Sequence, residues 1–372
     1  MKICLFGTYN NNYSRNSCIR DGLKQLGVDV TEAHVSIPTE RLELPEDFSL
    51  QKSWKRMWKK IETSFLLLKK YQQVFSSDIV LVLHPGHLDL PIAWLLCLLG
   101  KKKLFFDTSI SPYDTMIVGR NMAKINSPKE KILKFAEAML LRLPYKLFTD
   151  TKLMKRFIVS NFGINEKKIF VTPLGANNAI YKPKKIKRRN EKTEILFFGM
   201  YNPLHGALYI LQAIRLLKNY KNLYFTLVGD GPLKKELIEY AKKHQLTNVF
   251  FKGFMPENKL VDYIQRSDIL LGVFSNNKII RRVIPNKVFG ALACQKPLIT
   301  ARQPVMQEFF KHEKNIYFCK PEDSKSLALA VIHLSSDKDL QNNLAKNGYL
   351  LYIKNFTPKK IGNTLIKGIT SG

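Results

Sequence analysis

Short apolar runs alternate with longer amphipathic segments along the whole chain, the pattern of strands and helices taking turns around a parallel sheet. In the first half KICLFG (2–7), DIVLVL (78–83), KLFFD (103–107), KLFTD (146–150) and KIFVTPLG (168–175) read as strands. In the second half TEILFFG (193–199), YFTLVGDG (224–231), VFFKG (249–253), DILLGVF (268–274) and PLIT (297–300) do the same. Between them a helical apolar period predicts helices at 17–26, 128–143, 207–218 and 232–244.

In KPKKIKRRNEK (182–192) the charge is dense and the apolar period stops, so this stretch reads as a solvated linker. It divides the chain into two Rossmann-like α/β domains in series, 1–181 and 193–354, and the final helix, about 355–372, is expected to pack back on the first. With 372 residues and 45% hydrophobic content, each half is long enough for its own core. No internal repeat is visible, although both halves restart with a strand followed by a glycine-containing turn.

Charge narrows the class of partner. The chain carries 60 Lys+Arg against 30 Asp+Glu, a formal charge of +30, which draws it to nucleic acid, anionic lipid or phosphorylated substrates, or simply reflects a lysine-rich surface. No zinc-finger spacing, RNA-recognition signature or basic zipper accompanies the lysines, so nucleic acid is not the expected partner. The five cysteines, Cys4, Cys18, Cys97, Cys294 and Cys319, are widely spaced and mostly inside apolar runs, which suits buried thiols in a reducing compartment. The opening MKICLFG reads as a strand and not as a secretory leader, giving the expectation of a cytoplasmic protein. The longest apolar stretch, 88–99, holds Asp89 and Pro91 and is shorter than the ~20 residues a spanning helix needs, so any membrane association is expected to be peripheral.

Candidate chemistry belongs at the carboxyl ends of the strands, where loops gather and helix N-termini offer free N–H groups to phosphate. LFGTYNN (Gly7, Thr8) and LVGDGPL (Gly229, Gly231) each place glycines just after a strand. HPGH (His84, His87) follows another, and His87 there either contacts a ligand or stabilises the turn. Asp107 ends KLFFD, followed by Ser109, Ser111, Tyr113 and Asp114; it reads as an orienting group or base, or as the cap of a loop. SWKRMWKKIETSFLLLKKY sets Trp54, Trp58, Ile61, Phe65 and Leu68 at helical spacing among Lys55, Arg56, Lys59, Lys60, Lys69 and Lys70. Trp with Lys is the pattern of an interfacial helix on an anionic membrane; the same stripe also suits packing on a sheet.

An ordered series in the second half carries a family resemblance. FFGMYNPLHGALYILQAI joins a glycine-rich strand end to a helix, FTLVGDGPLKKEL gives a strand, paired glycines and a helix, VFFKGFMPENKLVDYIQRSDILL a strand, glycine loop, helix and strand, and IPNKVFGALACQKPLIT a helix with a Lys-Pro turn. Together they resemble the family 4 retaining glycosyltransferases of GT-B fold, in which two Rossmann-like domains face each other across a cleft. KICLFGTYNNNYSRNSCIRDGLKQLGVDV and LFFDTSISPYDTMIVGR are similar, more loosely, to the acceptor-binding domains of the same group.

The resemblance implies a nucleotide diphosphate-sugar held by the C-terminal domain, with transfer in the cleft. The turn from Gly199 and Met200 through His205 to Gly206, with Arg281, Arg282, Asn286 and Lys287 around a helix start, would supply backbone donors and positive charge to a diphosphate. Gly253, Phe254 and Met255 would lie against the base, or else pack as ordinary core. Gly7, Thr8, Gly229 and Gly231 complete the expected nucleotide-sugar set; His87, Asp107 and His205 are the expected catalytic residues, and Trp54, Trp58, Lys59 and Lys60 the membrane or acceptor contacts. No cofactor is expected beyond the donor, and no metal, since no Asp-x-Asp accompanies the motifs.

Two departures stand out. Where the family carries a pair of Glu residues, this chain has Arg282 and Gly290; where it often carries an Arg and a Lys at the start of the domain, this chain has Met200 and His205. His205 is left to donate a hydrogen bond, or a proton, to a phosphate oxygen. The expected function is transfer of a sugar from a nucleotide diphosphate-sugar to a hydroxyl in surface-glycan or lipid-linked glycan synthesis, in the cytoplasm or on the inner face of the membrane. The lost carboxylates keep open a catalytically silent GT-B subunit that binds a partner or glycan. A nucleotide-sugar isomerase would want more carboxylates than the chain offers.

Overall fold

The structure, a computed structural model, describes residues 1–36, 61–120, 122–184, 186 and 192–371. Two compact units emerge, Met1–Pro173 with Pro358–Gly372, and Leu174–Thr357. Each is a six-stranded sheet whose pairings are all parallel.

In the first unit β1 (Lys2–Tyr9), β2 (Asp29–Ser36), β3 (Ile79–Val82), β4 (Lys103–Asp107), β5 (Lys146–Thr149) and β6 (Ile169–Val171) lie in the order β2-β1-β3-β4-β5-β6. The register sets Cys4 beside Val80 and Val80 beside Leu104, so successive residues feed opposite faces. Cys4, Phe6, Val80, Val82, Leu104 and Phe106 pack with Leu90, Ala93 and Leu96 of the helix Leu90–Gly100. Ile3, Leu5, Leu81, Phe105 and Phe148 pack with Ile19 and Leu23 of the helix Ser14–Gln25 and with Ile361 and Leu365 of the C-terminal helix Pro358–Thr370. Helices therefore cover both faces, which explains why these strands are continuous apolar runs. The C-terminal helix approaches Ser14–Gln25 so closely that a β-carbon on Gly22 would lie 2.0 Å from the Pro358 carbonyl oxygen.

In the second unit β7 (Thr193–Phe198), β8 (Leu223–Val228), β9 (Val249–Lys252), β10 (Ile269–Leu271), β11 (Leu298–Ala301) and β12 (Tyr317–Cys319) lie in the order β12-β11-β10-β7-β8-β9. Its main core joins Ile195, Phe197, Phe225 and Leu271 to the helices Ala207–Leu216 and Ser324–Ser336. All five cysteines are buried thiols outside any disulfide.

Two details differ from the sequence reading. β2 and β12 are additional strands, each at a sheet edge. The chain passes between the units at Pro173–Leu174, before the boundary read near 181, because 174–181 bonds within the second unit: Tyr352 Oη donates to the Ala176 carbonyl at 2.8 Å.

Candidate functional site

In the second sheet the chain runs outward from β7 to β8 and β9, then returns to the other side of β7 as β10. The loops after β7 and β10 thus part at the carboxyl ends, the place where open α/β sheets bind ligands. After β7, Gly199 adopts φ +142°, and Asn202 Oδ1 accepts from the His205 N–H at 3.1 Å, shaping the turn that ends at Gly206. Gly206 starts the helix Ala207–Leu216 with no side chain capping its N–H groups. After β10, the helix Asn286–Ala293 likewise starts without a side-chain cap. Two helix starts at one switch point leave N–H groups and positive dipole ends uncommitted.

Lys287 links the two loops. It is buried, and its Nζ lies 3.0 Å from where a β-carbon on Gly199 would sit, beside the His205 ring at 3.1 Å from that point. The Nζ stands 3.9 Å from the centroid of Phe197 and reaches the Gly272 carbonyl at 3.4 Å. Burial pushes its pKa well below the ordinary lysine value, with no neighbouring carboxylate among the described residues to offset the shift. His205 Nδ1 lies 2.7 Å from the Met200 carbonyl oxygen, so that nitrogen carries the proton and Nε2 presents a lone pair. Burial, helped by Lys287, pushes the His205 pKa down to about 3. His205 is therefore a neutral acceptor here, which differs from the donor role read from the sequence.

The other expected residues of this unit divide by surroundings. Gly229 and Gly231 serve close backbone approach: a β-carbon on Gly229 would fall 1.9 Å from the Gly199 carbonyl oxygen, and one on Gly231 2.7 Å from that of Tyr201. Phe254 is 76% exposed, and with Gly253 exposed and Met255 half-buried this loop is not core. Met200 is exposed and Arg282 half-buried. Asn286 Oδ1 is buried with no hydrogen-bond partner among the described residues. Gly290 is buried under Tyr181, whose Cε1 lies 3.1 Å from the position of a β-carbon there. Tyr181, which the sequence reading did not single out, fills the space into which a side chain at 290 would grow.

In the first unit the corresponding switch point, between β1 and β3, is occupied by the protein's own side chains. The Thr8 N–H and Oγ1 both donate to Asp89 Oδ2 at 2.7 Å, and a β-carbon on Gly7 would meet that oxygen at 2.9 Å. The Thr8 donors expected to meet phosphate are thus taken by a buried carboxylate that also lies against Gly7. His87 is buried, packs edge-on to Phe106 and lies with Nε2 3.8 Å from Glu137 Oε1. Burial, then the neighbouring His84, push its pKa down to about 3, while burial pushes Glu137 up to about 7, so the imidazole is neutral and this contact is not an ion pair. Asp107 is fully buried, 2.5 Å from Arg15 Nε through Oδ2, while Oδ1 accepts from the Ser109 N–H and hydroxyl. As placed, His87 and Asp107 are both enclosed.

Arg15 also donates to the Thr172 carbonyl at 3.1 Å, and burial raises nearby Asp150 to a pKa of about 7. Neither Arg15 nor Asp150 stood out in the sequence, where a lone charge on an amphipathic segment reads as solvent-facing. Trp54, Trp58, Lys59 and Lys60 lie outside the described residues. Among the described residues, no group of three or more His, Cys, Asp and Glu side chains gathers as a metal site would.

Residues 180–351, which contain the whole β7/β10 site, match the family model of glycosyl transferases group 1. The second unit is a group 1 glycosyltransferase domain. The chain is similar to the chitobiosyldiphosphodolichol beta-mannosyltransferase of Candida albicans, 24% identical over 303 residues that cover 74% of this chain and 64% of that protein's length. Among solved structures it is similar to HepE of Anabaena in complex with UDP-glucose, at 15% identity and a TM-score of 0.72, covering 100% of both chains. It also resembles sucrose-phosphate synthase of Thermosynechococcus elongatus, at 13% identity and a TM-score of 0.73, covering 99% of this chain and 98% of that one. The likenesses to solved structures give the chain the α/β GT-B fold, and the stretch that matches the group 1 family brings Gly199, His205 and Lys287 together, with Asn286 beside Lys287, at one switch point.

Proposed function

We propose that this protein transfers a sugar from a nucleotide diphosphate-sugar to a hydroxyl of a lipid-linked glycan precursor. The observation that carries the reading is Lys287, a buried amine with no carboxylate beside it among the described residues, aimed at the Gly199 cradle between two uncapped helix starts, where an anion would favour its charged form. A site of that kind lacks an anion, and a diphosphate supplies one. As the bond from the sugar to the diphosphate oxygen breaks, negative charge grows on the leaving group, where Lys287 and the helix N–H groups stabilise it. Asn286 Oδ1, an acceptor without a donor, suits a hydroxyl of the nucleotide or sugar where the family carboxylates are missing. Exposed Phe254 offers an aromatic face to the base.

The donor class is supported by the UDP-glucose bound to HepE, and the lipid-linked acceptor by the similarity to the Candida albicans chitobiosyldiphosphodolichol mannosyltransferase, whose name specifies a diphosphodolichol-linked substrate. Calorimetric titration with UDP- and GDP-sugars, followed by a transfer assay on a polyprenyl-diphosphate glycan, tests the proposal. Binding and turnover that both collapse in Lys287→Met support it. No binding at millimolar donor, or unchanged affinity in Lys287→Met, overturns the site. The silent-subunit reading draws support from the filled space at Gly290 and is favoured if donor binds but is neither transferred nor hydrolysed.

A further inference from the structure

We propose that the first unit docks on an anionic lipid bilayer through the outward faces of the helices Leu90–Gly100 and Pro128–Leu140. Both cover the same side of the first sheet. Leu90–Gly100 is apolar all round: Leu90, Ala93, Leu96 and Cys97 face the sheet, while Leu98 and Leu99 on the other side are 60% and 66% exposed. A helix apolar on every side belongs to a buried or lipid environment, and this one has a sheet on one side only. Pro128–Leu140 inverts the usual arrangement. Its carboxylates Glu130 and Glu137 point inward, binding the Tyr113 hydroxyl and N–H at 2.9 and 2.7 Å, while Ile132 and Phe135 are 69% and 67% exposed.

Within these two helices and at their ends the exposed charge has one sign. Lys101, Lys129 and Lys131 are exposed, whereas Asp89, Asp107, Asp114, Glu130 and Glu137 are all buried. A surface of exposed Leu, Ile and Phe rimmed by lysines, with its acids withdrawn, fits acyl chains under anionic headgroups. No helix among the described residues is long and apolar enough to cross a membrane, so these would lie in the interface plane. The surface is distinct from the β7/β10 site, and vesicle binding is read without any nucleotide sugar, so either proposal fails without the other.

The test is sedimentation of the full chain with phosphatidylcholine vesicles and with phosphatidylcholine/phosphatidylglycerol vesicles, at low and high salt. Binding to the anionic vesicles alone, weakened by salt, is expected. Leu98→Glu with Phe135→Glu should reduce it at least tenfold, and Lys101→Gln with Lys129→Gln and Lys131→Gln by roughly tenfold or more, with unchanged thermal melts. Absence of binding to anionic vesicles at low salt overturns the proposal, as does wild-type binding by either variant. A dimer in solution that Leu98→Glu with Phe135→Glu separates also overturns it, by assigning the face to a second copy.

Discussion

Lys287 Nζ stands 3.9 Å from the centre of the Phe197 ring, buried, with an aromatic face where an ion pair would be expected. The folded protein lets this lysine lose its proton well below the usual value, while the unfolded chain keeps it to about 10.5. Between those limits the unfolded state binds more protons, so the lysine's cost to stability shrinks as pH rises. Lys287→Met removes the cost, and the variant should be at least as stable as the native protein near neutral pH, with an advantage that fades toward alkaline pH. Nucleotide diphosphate affinity should fall roughly 10- to 100-fold, the worth of a charge-assisted contact. Urea unfolding at two pH values and a UDP titration check both signs.

Arg15 and Asp107 make the opposite kind of contact, a paired charge with both side chains enclosed. Asp107→Asn would leave the guanidinium buried without its partner, which typically costs about 3–5 kcal/mol. Chemical denaturation should show that loss. A free catalytic base at 107 would instead give a variant of native stability with lost turnover.

The strands that the sequence made legible are those buried on both faces, such as ICLF, IVLV and ILFF, where a run of apolar residues has no other use. β2, DVTEAHVS, is largely half-buried and polar, and β12 is only Tyr317–Cys319; an edge strand needs one neighbour and little apolar surface, so neither stands out. At the site, Lys287 was legible because a helix start after a strand is a local pattern. Arg15 was not, since its partner lies 92 residues away and a charge on a helix gives no sign of turning inward. Tyr181 escaped for the same reason: only the folded chain brings its ring over Gly290.

Glu137 offers a pH test of the enclosed polar layer in the first unit. Burial raises its pKa from 4.5 to about 7, so the folded state holds a proton that the unfolded chain has released. Its contribution to stability is complete below about 4.5 and is lost as pH rises through about 7. Glu137→Gln mimics the protonated acid, keeps an acceptor for the Tyr113 N–H and offers a donor toward His87 Nε2. The variant should match the native protein in acid and exceed its stability above neutrality, a divergence that denaturant midpoints across pH will show.

Gly290 gives the sharpest test of how this chain departs from the paired-Glu pattern that its sequence otherwise resembles. Introducing that carboxylate by Gly290→Glu should fail on packing grounds, because the new β-carbon meets Tyr181 Cε1 at 3.1 Å and the carboxylate would have to enter the same enclosed space. Overpacking of this kind costs about 1–3 kcal/mol, and a buried carboxylate adds to it. Tyr181→Ala alone should destabilise by removing a packed ring. If the two side chains compete for one volume, the double variant Tyr181→Ala with Gly290→Glu will be more stable than the sum of the single changes predicts, by at least about 0.5 kcal/mol, the threshold for coupling between residues in contact. Strict additivity in that double-mutant cycle would mean that the tyrosine does not exclude a carboxylate, and the lost Glu would need another physical cause.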